Sequence, residues 1–297
     1  MIDLHLHTTY SDGADSLIDV LKKAEKLKLE YISITDHDTC EGYRELEKIN
    51  VKDYYTGTII KGVEIKCAYQ KRLIEILGYN VDTEYINKYM EKFHEEKSKE
   101  KLQQKYFDIL YNTCTNKMGL TLLPKNEIKF DPKTDWASVT IYNEIKSHEE
   151  NKEKLPEDML QDFTTFSKKY CGNRNHVLYI DKSEDYLSIE ETIKLIKDAG
   201  GLVFLPHVFI YKWAEDKKKM LDDLVSNYEV DGIECMHSEF SQEDIDYLLE
   251  YTAKNNFYRS GGSDYHGVNK PGIEMAVGKG NLKIETALAI DWIKTLK

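Results

Sequence analysis

The stretch DLHLHTTYSDG (residues 3–13) decides how the rest of this chain is interpreted. Side chains alternate between the two faces of a strand, so His5 and His7 share one face while Leu4 and Leu6 share the other. A strand with aliphatic side chains on one face and imidazoles on the other is unusual. Its polar face is therefore expected either to be solvated or to bind a ligand.

Composition limits the class of protein. The chain has 297 residues, enough for one large α/β domain or two smaller ones, and it contains no apolar run long enough to span a membrane. Five scattered cysteines without a Cys-X-X-Cys pair, and a first strand that starts without a leader, favour a cytoplasmic protein. A formal net charge of −12 argues against binding to duplex nucleic acid.

Strand-like and helix-like segments alternate through much of the chain. The predicted strands cover residues 2–7, 31–34, 58–65, 72–78, 202–205, 231–235 and 257–261. The predicted helices between and after them include 17–27, 43–49, 189–199, 217–226, 242–254 and a closing helix at 285–296. Such alternation indicates a mostly parallel sheet or barrel.

The middle of the chain has a different character. Residues 83–185 are rich in Lys, Glu, Tyr and Asn, and they include the long charged helical segment NKYMEKFHEEKSKEKLQQKYFDIL at 87–110. We therefore predict a barrel formed by residues 1–82 and 186–297, interrupted by a mainly helical insertion at 83–185 that covers the substrate.

Imidazoles and carboxylates follow the ends of several predicted strands. Each motif alone is weak, but five of the nine histidines lie at or just past strand ends, beside a carboxylate or another histidine. These candidate residues are His5, His7, Asp12, Asp36, His37, Asp38, Glu64, His207, Asp264 and His266. Because functional residues gather at strand ends in parallel α/β folds, the set predicts a site for Zn²⁺, Mn²⁺ or Fe²⁺.

The motifs HLHTTYSDG, ITDHD, GVEI, LPH and GGSDYHG, in this order, resemble those of the PHP (polymerase and histidinol phosphatase) superfamily. The resemblance covers roughly residues 1–80 and 187–270. It implies an α/β fold, a distorted (β/α)7 TIM-like barrel, with two or three divalent ions at its C-terminal mouth. Within the family, the chain is most similar to phosphoesterases that act on nucleoside 3′,5′-bisphosphates and trim RNA 5′ ends.

The resemblance also implies ligands for three metal positions. They are His5, His7 and Asp264 for the first, His207 for the second, and Asp12, His37 and His266 for the third, with Glu64 bridging the first and second metals. The expected catalytic residues within this set are Asp12, His37, His207, Asp264 and His266. Asp36 and Asp38 flank His37 and are expected to orient a ligand, with capping of the next helix as the alternative for Asp38.

The chain departs from its relatives in several places. Glu75 in RLIEILGY stands where many relatives have a histidine ligand, so it either ligates the second metal or faces solvent. Val208 replaces a common proline and leaves His207 intact. Arg174 and His176 in the insertion are candidates for gripping phosphate, with a solvated loop as the alternative. His237, at a strand end, could line the mouth or be structural.

The expected function is therefore a metal-dependent phosphoesterase that hydrolyses phosphomonoesters with metal-activated hydroxide. A small phosphorylated molecule, a nucleotide or a short RNA end is the expected substrate, and a monomer or small homo-oligomer the expected state. Histidinol phosphatase or another small-molecule phosphatase is one alternative. A non-catalytic regulatory PHP module is another, and the complete ligand set argues against it.

Overall fold

A barrel-shaped sheet organises the part of the chain that carries the histidine motifs. Its strands are β1 (Ile2–Leu6), β2 (Tyr31–Ile34), β3 (Thr58–Tyr69), β4 (Arg72–Tyr79), β5 (Leu187–Ser188), β6 (Leu202–Leu205), β7 (Gly232–His237) and β8 (Tyr258–Gly262). They are ordered β1-β2-β3-β4-β6-β7-β8, and the short β5 pairs with β3. Backbone bonds from Asp264 N to His5 O (2.9 Å) and from His7 N to Tyr265 O (3.0 Å) join the end of β8 to β1. The sheet thus nearly closes, which confirms the predicted barrel.

Strand β4 is the source of the distortion, because it runs antiparallel to both β3 and β6. Strand β3 continues beyond its predicted end at residue 65 and turns directly into β4. Gln70 and Lys71 form this turn with φ of 47° and 60°, the left-handed geometry of a tight two-residue hairpin. A loop this short can join only antiparallel strands, so the strand–helix alternation fails here.

Helices follow most of the strands, much as predicted. They are α1 (Leu17–Lys26), α2 (Glu41–Leu46), α3 (Thr83–Glu96), α7 (Ile189–Asp198), α8 (Lys217–Asn227), α9 (Gln242–Asn255) and the one-turn α10 (Ile290–Ile293). Ser16 caps α1 by accepting from Asp19 N, and the helix buries its apolar stripe.

The closing helix predicted at 285–296 is wrong. The chain forms a 3₁₀ turn at Thr286–Leu288 and then only the single turn of α10. Trp292 is fully buried, its ring stacks on Tyr79 with centroids 5.2 Å apart, and its indole N–H donates to Arg259 O (2.8 Å). The buried Trp292 side chain thus attaches the C-terminal segment to the barrel, a role that we expected an amphipathic helix to fill.

The computed structural model describes residues 1–296, and the chain separates into two compact units. The first comprises Met1–Glu91 together with the chain from Tyr186 onward, and the second comprises Lys92–Asp185. The second unit contains α4 (Lys99–Asn112), α5 (Ala137–Ser147) and α6 (Phe163–Thr165). This unit lies within the insertion predicted at 83–185, whose residues 83–91 belong to the first unit. The role of the insertion as a substrate cover stays a prediction.

The long helical segment predicted at 87–110 is two helices. Helix α3 ends at Glu96, and α4 begins at Lys99 after Ser98, whose backbone is extended (ψ 152°). Serine favours the position before a helix over a helix interior, which explains the break. The second unit has its own apolar core, including Tyr106, Phe107, Leu110, Ile141, Ile145 and Phe166.

Within residues 1–296, no helix combines the length and the apolar character that a membrane span requires.

Gly262 tests how closely β8 must approach β1. A Cβ atom at this position would lie 2.2 Å from His5 Cβ and 2.6 Å from His5 N. Gly262→Ala is therefore expected to lower the free energy of unfolding by at least about 2 kcal/mol, because backbone cannot yield as a side chain can. Denaturant titration measures the change.

The matched control is Gly42→Ala in α2, where the nearest atom to an added Cβ is a Tyr10 ring carbon at 3.3 Å. Alanine favours a helix by about 0.5–1 kcal/mol over glycine, so this variant should remain near wild-type stability. Equal stability of the two variants would contradict the proposed close approach of the strands.

Candidate metal centre

Six imidazoles crowd together where the barrel strands end. They belong to His5, His7, His37, His207, His237 and His266. The ring centroids of His7 and His266 are 4.1 Å apart, and those of His7 and His37 are 4.6 Å apart. All six except His37 are buried. The predicted polar face of β1 is thus enclosed rather than solvated.

The possible ligand atoms form three overlapping groups, each with its atoms within 4.8 Å of one another. The groups are His5, His7 and Asp264; His5, Glu64 and His207; and His7, Asp12, His37 and His266. The structure therefore brings together eight of the nine residues predicted as ligands. Glu64 belongs to one group, and the residues shared by two groups are His5 and His7. Their role as ligands stays a prediction.

The hydrogen bonding of the cluster fits a bound cation. Both ring nitrogens of His7, and Nδ1 of His37 and of His207, are buried without a hydrogen-bond partner among the described residues. Buried polar atoms are normally satisfied, and several orphaned imidazole nitrogens in one cluster indicate an absent partner. Imidazole and carboxylate together are ligands that Zn²⁺, Mn²⁺ and Fe²⁺ accept, so the residues fit such ions.

Two carboxyl groups of the cluster are held in their ionised form and can therefore bind a cation. Burial alone would raise the pKa of Glu64 and Asp264, but the surrounding imidazoles hold both carboxyls well below their usual range. Burial alone would lower the pKa of His7, and the carboxylates of Asp264 and Glu64 raise it to about 9. Burial lowers the pKa of His37 to about 4.

Unusual backbone conformations aim several of these side chains. Asp38, His207 and Asp264 have φ of 55°, 27° and 56°, a region that residues other than glycine rarely occupy. Such conformations persist where neighbouring contacts hold them, and they cluster at functional sites. The three residues follow the ends of β2, β6 and β8, where the cluster residues also lie.

Asp36 and Asp38 have different structural roles beside His37. The Asp36 carboxylate accepts from Thr8 N (2.7 Å), Thr8 Oγ1 (2.7 Å) and Ser11 Oγ (2.6 Å), and so holds the loop that carries Asp12. Asp38 accepts from Lys66 N (3.0 Å). It does not cap helix α2, which begins after Cys40.

Glu75 lies at the edge of the cluster and outside the three ligand groups. Its Oε2 is 3.5 Å from His207 Nε2, its Oε1 is 3.5 Å from Lys66 Nζ, and its backbone N–H donates to Tyr211 Oη (2.9 Å). Burial, and then the charge of Glu64, raise the pKa of Glu75. Because the Glu75 carboxylate lies beside His207, metal ligation by Glu75 stays a prediction.

Arg174 and His176 lie in the second unit. The Arg174 guanidinium is 5.7 Å from the ring centroid of Tyr179, and His176 Nδ1 accepts from Leu178 N (3.2 Å). The His176 ring packs edge-on against Tyr170. These contacts order the loop, and the predicted role of both residues in substrate binding stays a prediction.

Two polar residues of the cluster escaped the sequence analysis. Glu234 is fully buried and contacts His5 and His207, and Lys270 contacts the carboxylate of Asp264. An acidic residue inside the apolar segment GIEC was a usable signal for Glu234. Nothing in the sequence marks Lys270, because its position depends on the loop after Asp264.

The fold and the cluster together define an α/β-barrel protein with a buried histidine–carboxylate centre suited to divalent cations. The family description "PHP domain" matches residues 3–236. A phosphoribosyl 1,2-cyclic phosphate 1,2-diphosphodiesterase of Eggerthella lenta is 24% identical over 280 residues, covering 89% of this chain and 94% of that protein.

Two further relatives match over similar lengths. A 3′,5′-nucleoside bisphosphate phosphatase of Chromobacterium violaceum is 23% identical, covering 92% of this chain and 90% of that protein. A 5′-3′ exoribonuclease of Haemophilus influenzae is 24% identical, covering 89% of each. The chain belongs to the PHP family, and it is a metal-dependent phosphoesterase of that family.

Addition of metal should stabilise the folded protein. An ion present at 100 times its dissociation constant adds about 2.7 kcal/mol to the free energy of unfolding, which raises the melting temperature by about 5 °C or more. Thermal melts of chelator-treated protein with and without Mn²⁺ or Zn²⁺ measure the shift.

His7→Gln should lose most of this stabilisation, because His7 is shared by two ligand groups. His148→Gln is the matched control, since His148 bonds Glu144 in the second unit and should leave the shift intact. Identical melts with and without metal in the wild type would contradict a metal centre.

Proposed function

We propose that this protein hydrolyses phosphomonoesters of nucleotides, with nucleoside 3′,5′-bisphosphates or RNA 5′ ends as its substrates. The observation that carries the proposal is the cluster in which three carboxylates and five imidazoles converge, all of them buried except the exposed Asp12 and the partly buried His37. Divalent ions, when bound there, would supply hydroxide at neutral pH and neutralise phosphoryl charge.

The chain's own residues have defined tasks in this proposal. Asp12, Glu64 and Asp264 would supply the negative charge that holds cations, and the imidazoles fix the positions of those cations. Asp12 is the exposed member of the three, with 58% of its side chain accessible, so it lies where a substrate can approach. Its pKa is lowered by the His266 side chain despite partial burial, and it remains a carboxylate.

A covalent cysteine mechanism is not supported by the cysteines of the barrel. Burial raises the pKa of the Cys40, Cys67 and Cys235 thiols, that of Cys235 to about 12. A buried thiol with a raised pKa is a poor nucleophile. Direct attack by hydroxide on phosphorus therefore suits the cluster better than a phosphoenzyme.

The charge distribution supports a role of the insertion in binding phosphate. Residues 92–185 carry 16 Lys and Arg against 17 Asp and Glu, whereas the rest of the chain carries 25 against 36. The acidic excess therefore lies almost entirely in the barrel sequence. Arg174 and His176 remain the predicted phosphate contacts, because a planar guanidinium suits a second phosphate group.

A cyclic phosphodiester is the second candidate substrate. The alignment with the phosphoribosyl 1,2-cyclic phosphate 1,2-diphosphodiesterase spans 280 residues, as does the alignment with the nucleotide phosphatase. Histidinol phosphate stays a further alternative. The retained ligand set and the orphaned buried imidazoles argue against a non-catalytic module.

Phosphate release tests the proposal. The protein should release inorganic phosphate from a nucleoside 3′,5′-bisphosphate, lose this activity with a chelator and regain it with Mn²⁺. Asp264→Asn should lower the activity at least about 100-fold, because it removes the negative charge of a predicted metal ligand that lies beside His5 and His7. Asp198→Asn, at an exposed pair with Lys194, is the matched control and should keep full activity.

The substrate panel separates the candidates. Release from the bisphosphate or from 5′-phosphorylated RNA supports the proposal, whereas turnover of a cyclic phosphodiester alone overturns it in favour of the second candidate. Hydrolysis in ¹⁸O-water should place one labelled oxygen on phosphate, and a trapped phosphoenzyme would contradict direct attack.

Glu75 tests whether the second metal position differs from that of relatives. Glu75→His replaces an anion with a neutral nitrogen ligand, which should favour Zn²⁺ over Mn²⁺ by roughly tenfold or more in relative affinity. Competition titrations of wild type, Glu75→His and Glu75→Ala measure the preference. Identical preferences in all three would place Glu75 outside the coordination shell.

A further inference from the structure

Strand β7 provides none of the predicted ligands, yet it places two buried polar side chains against the cluster. Glu234 and His237 lie three positions apart and would face opposite sides of a regular strand. The pairing with β8 shifts register between Glu234 and Met236, which marks a β-bulge. One extra residue in the bulge turns both side chains toward the cluster.

We propose that β7 is a positioning strand: Glu234 orients His5 and His207, and His237 orients Asp264, so that each presents one fixed atom to a cation. The inference rests on the proposed metal centre and extends it by a second layer of residues. Neither residue is assigned contact with substrate, so both are positioning residues.

Glu234 fixes which nitrogen of His5 carries a proton. Its Oε1 lies 3.0 Å from His5 Nδ1, while its Oε2 accepts from the backbone N–H of His207 (2.7 Å). A carboxylate only accepts hydrogen bonds, and this one already accepts the His207 N–H through one oxygen and presents the other oxygen to the His5 ring. His5 Nδ1 therefore bears the proton, and Nε2 is directed at Glu64 (3.1 Å) and Asp264 (3.7 Å).

The same carboxylate holds the backbone of His207. This residue has φ of 27°, a conformation that needs external contacts to persist. The bond from its N–H to Glu234 Oε2 is such a contact, and it is fully buried. His207 Nε2 then faces Glu64 Oε1 at 2.8 Å. One side chain thus holds the ring of His5 and the backbone of His207, which come from two different strand ends.

His237 has the corresponding role for Asp264. Its Nδ1 accepts from Glu239 N (3.1 Å), so the proton of the neutral ring is on Nε2, which donates to Asp264 Oδ2 (3.1 Å). The Lys270 ammonium contacts the same oxygen. The other oxygen, Oδ1, is left facing His7 and His266, each at 3.4 Å.

Glu234→Gln is the sharpest variant because it keeps the shape of the side chain. An amide offers one acceptor and one donor, so either His5 Nδ1–H or His207 N–H must then face an N–H group. Zinc affinity, measured by competition with a chromogenic chelator, should fall about 10- to 100-fold. Cys235→Ala is the matched control, since this neighbour on β7 contacts Leu248 and Thr252 of α9 instead, and its zinc affinity should be unchanged.

The His237 variants separate positioning from mere packing. Gln can still place an N–H near Asp264, whereas Ala cannot, so His237→Gln should retain zinc affinity within a few-fold while His237→Ala loses about tenfold or more. Equal losses in the two variants would overturn a positioning role for His237.

Nuclear magnetic resonance of ¹⁵N-histidine-labelled protein gives a readout independent of activity. His5 should show a protected Nδ1–H signal in both metal-free and zinc-loaded wild type, assigned by its absence in His5→Gln. Absence of this signal from the wild type would overturn the role of Glu234 even if Glu234→Gln does not fold. Wild-type zinc affinity in Glu234→Gln would overturn it as well.

Failure of the proposed function gives a different result. A wild type that binds no zinc but shows the His5 Nδ1–H signal would refute the metal centre and retain the contact between Glu234 and His5. A wild type that binds zinc without the signal would retain the centre and refute the positioning strand.

Discussion

The Glu64 carboxylate is the charge around which the barrel is organised. Its side chain is 1% exposed, and it faces imidazole nitrogens of His5 at 3.1 Å, His7 at 3.3 Å, His37 at 3.4 Å and His207 at 2.8 Å. A buried ionised carboxylate costs several kcal/mol unless it is paired, so the four imidazoles must remain in place. They come from β1, from the end of β2 and from the end of β6, and the antiparallel extension of β3 and β4 carries Glu64 itself between them. The strand ends therefore converge because one buried charge requires them to.

The parts of the structure that follow from local sequence patterns could be predicted from the sequence. Alternation in β1 predicted the shared face of His5 and His7, and polar residues at strand ends predicted the cluster. The misses are places where tertiary contacts override local pattern. The hairpin between β3 and β4 depends on two left-handed residues, and the short C-terminal helix depends on burial of Trp292. Glu234 lies in a strand whose other residues are mostly apolar, and the sequence alone does not place it in the cluster. The β-bulge after Glu234, which turns both Glu234 and His237 toward the cluster, is visible only in the structure.

The residues that could select a substrate were the least predictable part of the site. Ligands for a cation are constrained by the number and chemistry of their donor atoms, so they occur as recognisable motifs. A residue that grips a second phosphate needs only a positive charge within reach, and many surface positions satisfy that requirement. The near-neutral insertion, set against an acidic barrel sequence, narrows the search to one region of the chain. The charge balance of the insertion indicates a region, whereas a motif would indicate individual residues. The predicted roles of Arg174 and His176 in binding phosphate are therefore less well supported than the predicted role of Glu64 in binding metal.

The same buried charges make folding and metal binding parts of one equilibrium. Without a cation, the cluster balances its carboxylates with protons on imidazoles, as the raised pKa values of His5, His7 and His207 indicate. A cation must displace such protons, because only the deprotonated nitrogen can ligate. The outer contacts of β7 limit what this exchange disturbs: the proton between His5 and Glu234 remains on Nδ1, and Asp264 remains held through Oδ2. At these two residues, only His5 Nε2 and Asp264 Oδ1 then change their partners when protons are exchanged for a metal ion. The backbone at the strand ends can stay fixed during this exchange.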